Sequence, residues 1–356
     1  MRAADRLSVA AWPGFANRTG NPYNRLLYAP MGDLGVDVHE FTVPRFVQQR
    51  YDVWHLHWPE GLARSGADIR AWLGRAAFQG LLRLARRRRT RVIWTAHNLG
   101  AHDEASPDQA DTFWRQLAQH LDGVISLSAA ALAQLEACHP SYRSVPSRVI
   151  PHGHYRDVIG SVPVQAEARR VLGLGDVGPV VAHIGAIRAY KNVPKLLRAF
   201  AAMPDQQARL LIAGAVNEDT LEAEVRSLAR ADPRVHLWLG YQSDEQLAHV
   251  VAASDVVVLP YQAIANSGSA LYALSCDRPV TVPALGSMQE LRTQVGLDWV
   301  QVYEGPFTPE VLSDAIAWAQ QRSRSSRAPL DGLGWGEIAA QTVAFYRTLR
   351  PPVHSL

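Results

Sequence analysis

Cysteine is scarce in this chain of 356 residues, which contains only Cys138 and Cys276. The two lie far apart and form no C-x-x-C pair, which excludes a disulfide framework and a cysteine-based metal cluster. Long apolar runs are missing too, since none approaches the roughly 18 residues that a membrane span requires. Pro13 and Gly14 interrupt the first apolar stretch, which indicates a strand and not a signal peptide. We therefore predict a cytoplasmic protein without a membrane span.

The chain has little excess of either charge sign, with 36 Lys and Arg against 33 Asp and Glu and a net charge of +3. The arginines, however, crowd into the basic and apolar segment Asp68 to Arg89. Such a segment can form an amphipathic helix on an anionic bilayer, or its apolar side can belong to the core and leave the arginines solvated. We predict contact with an anionic membrane surface, on the inner face of the cell membrane, and no nucleic-acid partner, because no binding motif accompanies the run.

The length and the apolar content predict two α/β domains. A hydrophobic fraction of 47% with 22 prolines is typical of a folded chain too long for one ordinary domain. Short β-rich runs alternate with helix-length amphipathic stretches, six strands in the first half and five in the second, which is typical of parallel sheets covered by helices. We predict an N-terminal domain over 1–155, a second domain over 156–335, and a C-terminal helix over 336–356 that returns to the first domain.

In the second half, an apolar strand ends at Gly185 and a loop with two cations follows. Glycine at a strand end lets a ligand approach the backbone, and Arg188 and Lys191 suit a diphosphate group. The alternative is an ordinary turn with two solvated charges. The spacing favours a phosphate site.

A small polar cluster opens a later apolar helix and consists of Asn266, Ser267, Gly268 and Ser269. The free N–H groups at a helix N-terminus, together with nearby hydroxyls, suit a phosphate. The alternative is a simple helix cap. We predict that this cluster joins the donor site.

In the first half, polar and aromatic residues follow two strands. His55, His57 and Trp58 suit a sugar or sugar-lipid acceptor, because aromatic faces with polar neighbours bind such groups. The alternative is that the histidines are structural hydrogen-bonding residues. A carboxylate in this region can act as a general base, and Asp103 is our first choice and Glu60 our second. Asp103 is explained equally well as a helix cap.

The segment Val180–Phe200, a strand followed by Gly-x-x-Arg-x-x-Lys-Asn and a leucine-rich helix, resembles the opening of the nucleotide-binding domain in GT-B glycosyltransferases. Within the GT-B enzymes, the segment resembles those related to glycogen synthase and to bacterial exopolysaccharide enzymes. The resemblance continues through Leu211–Gly214, Val235–Tyr241, Ala253–Tyr261 and Cys276–Val280. It implies an α/β fold of the GT-B type, with two Rossmann-like domains whose parallel sheets face an interdomain cleft. It also implies that the second domain binds a nucleotide diphosphate sugar and the first binds an acceptor.

The same resemblance assigns roles to particular residues. It implies that Arg188 and Lys191 hold the diphosphate beside Gly185, that Tyr241 lies next to the base, and that His97, within Thr95-Ala-His-Asn98, faces the donor sugar. Many relatives carry two glutamates at the positions of Ile264 and Tyr272 here. Neither carboxylate is present, so we expect an inverting mechanism, with Tyr272 kept in the donor site.

We predict a hexosyltransferase that moves a sugar from a nucleotide diphosphate sugar to a saccharide or lipid-linked saccharide in bacterial polysaccharide or glycolipid synthesis. The Asn-Ser-Gly-Ser turn and the His-Asn pair look similar to β-mannosyl and exopolysaccharide enzymes, which favours GDP-mannose as donor. No metal or other cofactor is expected, because two cations and a helix N-terminus neutralise the phosphate charge. Two alternatives remain open, a GT-B nucleotide-sugar epimerase and a catalytically silent nucleotide-sugar-binding protein.

Overall fold

The computed structural model describes residues 6–16, 21–59, 69–97, 107–175, 178–320 and 324–349, with the backbone alone at 69–72 and 107–110. Its contacts divide the chain into two compact units. Unit 1 comprises residues 1–153 and 332–356, and unit 2 comprises residues 154–331.

Strands and helices alternate through the described residues. The strands are β1 Leu7–Trp12, β2 Val36–Glu40, β3 Val53–His57, β4 Arg91–Ala96, β5 Gly123–Ser126, β6 Ser147–Val149, β7 Val180–Ile184, β8 Arg209–Gly214, β9 Val235–Leu239, β10 Val256–Val258, β11 Val280–Pro283 and β12 Val300–Tyr303. The helices are α1 Tyr23–Tyr28, α2 Val43–Gln48, α3 Ile69–Arg88, α4 Pro107–Ala118, α5 Ala129–Cys138, α6 Arg156–Ile159, α7 Gln165–Val171, α8 Val193–Ala201, α9 Asp219–Arg230, α10 Asp244–Ala253, α11 Gly268–Ser275, α12 Met288–Val295, α13 Pro309–Ala319 and α14 Trp335–Thr348.

Unit 1 contains a six-stranded parallel sheet in the order β2-β1-β3-β4-β5-β6. Strand β3 is buried along its whole length, as expected for a parallel strand covered on both faces. One apolar layer includes Phe78 and Leu82 of α3. The other includes Ile338 and Val343 of α14, which therefore completes the unit 1 core.

The placement of α3 decides between the two interpretations of the basic segment, as far as its described side chains reach. Its apolar residues Phe78, Leu82 and Ala85 are buried in the unit 1 core. Arg83, Arg86 and Arg87 are exposed. The prediction that the apolar side of this helix rests on a membrane is wrong for these residues, because the sheet already covers them.

Unit 2 contains a second six-stranded parallel sheet, in the order β12-β11-β10-β7-β8-β9. Its apolar core includes Leu196 and Phe200 of α8 and Leu312 of α13. Strand β12 was not predicted, because its four residues include Gln301 and only its two ends are buried. The prediction of two α/β domains with parallel sheets is confirmed.

Candidate functional site

The candidate donor site of unit 2 lies where the strand order of its sheet reverses. β7 is the first strand of the unit, and it lies between β8 and β10. In open parallel sheets, ligands bind outside the carboxyl ends of the strands at such a switch point. Gly185 stands there, directly after β7, with φ at +97°. Only glycine adopts this backbone conformation readily.

Three predicted donor-site residues meet at this point. A Cβ built on Gly185 would lie 2.5 Å from Ser269 Oγ and 3.3 Å from Lys191 Nζ. The end of β7, the 3-10 turn Ala189–Lys191 and the first turn of α11 therefore converge. Gly214, at the end of β8, packs so closely that its Cβ would lie 2.0 Å from the carbonyl oxygen of Gly185. Glycine is required at both positions because side chains would fill the space.

The two cations of the loop are available to an anion. Lys191 and Arg188 are partly buried, and within the described ranges neither forms an ion pair with a carboxylate. The Lys191 ammonium lies over the ring of Tyr261, 5.3 Å from its centroid. Arg188 Nη2 donates to the side-chain oxygen of Asn217 at 3.1 Å, in the amide orientation that satisfies both polar groups of Asn217. An ammonium and a guanidinium without acidic partners suit a diphosphate.

The polar turn before α11 has structural and ligand-facing parts. The hydroxyl of Ser267 accepts a hydrogen bond from the Ala270 N–H at 3.1 Å, so Ser267 is a helix N-cap. Gly268 leaves room for Tyr155, whose hydroxyl would lie 2.9 Å from a Cβ there. Ser269 is the member that reaches Gly185. The helix-cap interpretation therefore explains Ser267, while Ser269 faces the candidate site.

Three buried polar atoms near this edge of the sheet have no hydrogen-bond partner among the described residues. They are His183 Nε2, the Tyr261 hydroxyl and Asn266 Nδ2. The His183 ring lies 6.3 Å from the ring of Tyr261, and its Nδ1 bonds the Val258 carbonyl at 3.0 Å. Burial and the nearby Lys191 charge lower the pKa of His183 to about 3, so its ring is neutral. Orphaned buried polar groups are uncommon, and a ligand can satisfy them.

His183 and Tyr261 were missed by the sequence reasoning. Each lies within an apolar run, His183 in β7 and Tyr261 just after β10, where a polar side chain is easily taken for a core residue. The available signal was a histidine two positions before a strand-end glycine. Both residues therefore join the candidate donor site.

Tyr241 and Tyr272 occupy different environments. Tyr241 follows Gly240 after β9 and is 76% exposed, so its ring is free to stack on a planar group. Tyr272 is buried, and its hydroxyl donates to the Asp244 carbonyl at 2.9 Å. This bond ties α11 to the start of α10. It gives Tyr272 a structural role.

In unit 1, the two histidines predicted to contact the acceptor both lie inside a strand. β3 extends through His57, and both rings are buried. His55 Nε2 lies 2.8 Å from the Thr95 hydroxyl, and His55 Nδ1 lies 2.7 Å from the Tyr346 hydroxyl. The prediction that His55 and His57 contact the acceptor is wrong, because both rings are buried and a ligand cannot reach them. The alternative of structural hydrogen-bonding histidines fits both.

His97 and Trp58 lie at the carboxyl edge of this sheet and are partly exposed. Their rings stack with centroids 4.3 Å apart and an interplanar angle of 18°. The ring of Tyr23 meets His97 edge-on at 4.6 Å, and His57 Nδ1 lies 2.9 Å from His97 Nε2. Burial, and to a smaller extent His152, lowers the pKa of His97 well below its usual value. The pair presents a neutral imidazole and an indole to solvent.

Two predicted carboxylates, Glu60 and Asp103, lie outside the described residues, so their roles stay predictions. Within the described part of the chain, no group of three or more His, Cys, Asp or Glu is arranged to hold a metal ion. The helices described there include none with the length and hydropathy needed to cross a bilayer.

Two six-stranded parallel sheets, one in each unit, are the architecture of transferases with the GT-B fold. A family model for glycosyl transferases group 1 matches residues 178–319. The chain is 32% identical over 336 residues to a GDP-mannose:glycolipid 4-beta-D-mannosyltransferase of Xanthomonas campestris, covering 94% of this chain and 90% of that relative. The chain belongs to the group 1 glycosyltransferases and is a hexosyltransferase.

Other relatives and solved structures agree in fold. The chain is 31% identical over 211 residues to a D-inositol 3-phosphate glycosyltransferase of a Mycobacterium species, covering 55% of this chain and 47% of that relative. Sucrose-phosphate synthase from Thermosynechococcus elongatus superposes with a TM-score of 0.72 at 20% identity, over 97% of this chain and 99% of that one. Anabaena HepE in complex with UDP-glucose gives 0.66 at 16% identity, over 97% and 98%. The predicted GT-B fold is confirmed.

Proposed function

We propose that this enzyme transfers mannose from GDP-mannose to a lipid-linked saccharide and that the linkage formed is β. The observation that carries the proposal is the 32% identity, over 94% of the chain, to an enzyme described as a GDP-mannose:glycolipid 4-beta-D-mannosyltransferase. Unit 2 binds the donor and unit 1 binds the acceptor. The product enters polysaccharide or glycolipid synthesis.

The donor diphosphate binds at the carboxyl end of β7. Lys191 and Arg188 supply two positive charges, and Ser269 with the N-terminus of α11 supplies hydrogen-bond donors. Exposed Tyr241 stacks on the guanine. This arrangement stabilises the nucleoside diphosphate as it leaves, so we propose that no metal ion takes part. Turnover that persists in excess EDTA supports this point, and turnover restored only by a divalent cation contradicts it.

The stereochemistry follows from the donor and the product. GDP-mannose is linked through an α-anomeric bond, so a β-linked product requires inversion at the anomeric carbon. Inversion needs a base that takes the proton of the acceptor hydroxyl during attack. Asp103 is proposed for this role and Glu60 is the second candidate. This mechanism does not use the two glutamates that many relatives carry, which agrees with the presence of Ile264 and Tyr272 at the corresponding positions of this chain.

The test of the function is a transfer assay with GDP-mannose, UDP-glucose and GDP-glucose, each with and without a polyprenyl-diphosphate-linked oligosaccharide. We expect acceptor-dependent release of GDP from GDP-mannose and a β-mannosidic product by carbon-proton coupling in NMR. An α-linked product contradicts the inverting mechanism. A preference for a UDP-sugar contradicts the donor assignment.

Membrane attachment is proposed to be electrostatic. Arg88 is excluded from that role, because its guanidinium donates to the carbonyl groups at the end of α2, among them Phe46 at 2.8 Å and Val47 at 2.6 Å. Arg83, Arg86, Arg87 and Arg89 are exposed, and we choose Arg83 and Arg87 for the test. Basic residues near an anionic surface contribute about 1 kcal/mol each.

A charge-removal experiment tests this attachment. Changing Arg83 and Arg87 to Gln should lower sedimentation with phosphatidylglycerol vesicles roughly tenfold or more, since each charge contributes about 1 kcal/mol. The same two changes at exposed Arg226 and Arg230 of α9 are the matched control. If the wild type and both double variants bind vesicles equally, the arginines form only a solvated face of the helix and do not attach the protein to a membrane.

A further inference from the structure

A chain of short hydrogen-bond contacts runs through the interior of unit 1 and ends at His97. The Tyr28 hydroxyl lies 2.8 Å from His55 Nδ1 and 2.6 Å from His57 Nε2. The Tyr346 hydroxyl lies 2.7 Å from the same His55 Nδ1. His57 Nδ1 lies 2.9 Å from His97 Nε2. We name these five residues, Tyr346, His55, Tyr28, His57 and His97, the histidine relay.

The proton positions in the relay follow from counting donors and acceptors, because ring tautomers must be inferred from partners. Tyr346 is fully buried, and within the described ranges its hydroxyl contacts only His55 Nδ1. A buried hydroxyl proton without an acceptor is costly. Tyr346 therefore donates, and His55 Nδ1 carries no proton. The His55 proton sits on Nε2 and is donated to the Thr95 hydroxyl at 2.8 Å.

Counting donors and acceptors also assigns the protons of Tyr28 and His57, which lie between His55 and His97 in the relay. The Tyr28 oxygen lies 2.8 Å from the bare Nδ1 of His55, where two facing lone pairs would repel, so we assign to Tyr28 a second hydrogen bond that shares the single lone pair of this nitrogen with Tyr346. In this assignment the Tyr28 proton is spent, and His57 Nε2–H donates to the Tyr28 oxygen. His57 is neutral, because burial lowers its pKa well below the usual value. Its Nδ1 is therefore bare and accepts from His97 Nε2–H.

We propose that Tyr28 and His57 are positioning residues that hold His97 in its Nε2–H tautomer, so that His97 Nδ1 offers a lone pair to a sugar hydroxyl. No described residue bonds this nitrogen, and the ring is partly exposed beside Trp58. A hydroxyl donates to a bare ring nitrogen, whereas the other tautomer would present an N–H to it. The role toward a sugar rests on the proposed transferase function, but the tautomer itself does not.

The tautomer is tested by NMR on the full chain labelled with 15N-histidine, in which long-range proton–nitrogen correlations separate protonated from bare ring nitrogens. His97→Gln identifies the His97 signals. In the wild type we expect a protonated Nε2 and a bare Nδ1. Tyr28→Phe removes the acceptor of the His57 proton and should give His97 both tautomers. A wild-type His97 protonated on Nδ1, or His97 signals unchanged in Tyr28→Phe, would overturn the proposal.

Two further variants provide a control for the loss of a buried hydroxyl and a second test of the relay. Tyr142 is also buried, and its hydroxyl donates to the Trp114 carbonyl at 3.2 Å. Tyr142→Phe therefore removes a buried hydroxyl without touching the relay and should leave His97 unchanged. Tyr346→Phe removes the far end of the relay and should shift the His97 tautomer if Tyr28→Phe fails to fold. A His97 that responds to Tyr142→Phe but not to Tyr346→Phe contradicts the relay.

Kinetics separate this inference from the function on which it rests. With GDP-mannose and acceptor, Tyr28→Phe should lower kcat roughly tenfold, the value of one hydrogen bond, while the affinity for GDP, which has no sugar, stays unchanged. A shifted tautomer with wild-type kcat contradicts the positioning role. The expected tautomer in a wild type that transfers no mannose contradicts the proposed function and leaves the relay intact.

Discussion

Gly185→Ala offers a direct test of the candidate donor site, because the structure separates two effects of the new methyl group. The first is backbone strain, since Gly185 has φ at +97°. The second is steric, since the methyl carbon would lie 2.5 Å from Ser269 Oγ and 3.3 Å from Lys191 Nζ. Gly296, after α12, is the matched control. Its φ is +102°, and a Cβ there meets nothing within 4 Å.

We expect both alanine variants to lose about 1–3 kcal/mol of unfolding free energy in urea, the cost of a backbone conformation that alanine disfavours. Only Gly185→Ala should weaken GDP binding, because the methyl occupies the space between Lys191 and Ser269. Loss of one charge-assisted phosphate contact costs about 1.5–3 kcal/mol, or roughly 10- to 150-fold in Kd. Calorimetry at a temperature where both variants are folded measures this. Wild-type GDP affinity in folded Gly185→Ala would refute the placement of the diphosphate.

Three further predictions address individual side chains. Lys191→Met should weaken GDP binding by about 1.5–3 kcal/mol in calorimetry, whereas Lys195→Met, on the exposed side of α8, should not; equal affinities would remove Lys191 from the phosphate site. Asp103→Asn should lower kcat roughly a hundredfold to ten-thousandfold with donor affinity unchanged, and a loss of donor binding instead would assign Asp103 to the donor. Burial lowers the pKa of His183 to about 3 in the folded protein, so below pH 6.5 the unfolded chain takes up a proton at this residue and the folded chain does not. The free energy of unfolding should therefore decrease as pH falls from 7 to 5, and His183→Gln should remove about 2 kcal/mol of that decrease. An unchanged pH dependence of unfolding in the variant would show that His183 is not the source.

The two cations at the end of β7 were predictable because they lie close to that strand in sequence. A buried parallel strand is a continuous apolar run, and Arg188 and Lys191 follow the glycine that ends it, so short spacing alone brings them to the carboxyl edge. His183 was not predictable by the same logic. A histidine inside an apolar run has the same local pattern whether its Nε2 bonds a core residue or has no partner, as here among the described residues.

The histidines of unit 1 show a different limit. His55 and His57 were predicted to contact the acceptor at the end of a strand, where ligands of open α/β sheets gather. They remain inside β3 because hydroxyls from distant parts of the chain satisfy their nitrogens, Tyr28 from α1 and Tyr346 from α14. Nothing in the sequence pairs positions 55 and 346. Only the fold brings them together.

The discontinuity of unit 1 in sequence has a consequence for biosynthesis. The unit 1 core includes Trp335 and Tyr346 of α14, and the Trp335 ring fills the space that a side chain at position 153 would need. All of unit 2 lies between these two parts of unit 1 in the chain. At 5–20 residues per second, a ribosome needs roughly 10–35 s to make that insertion. The nascent first unit therefore keeps the apolar surface for α14 uncovered during this interval, and the unit whose synthesis begins first is the last to complete its core.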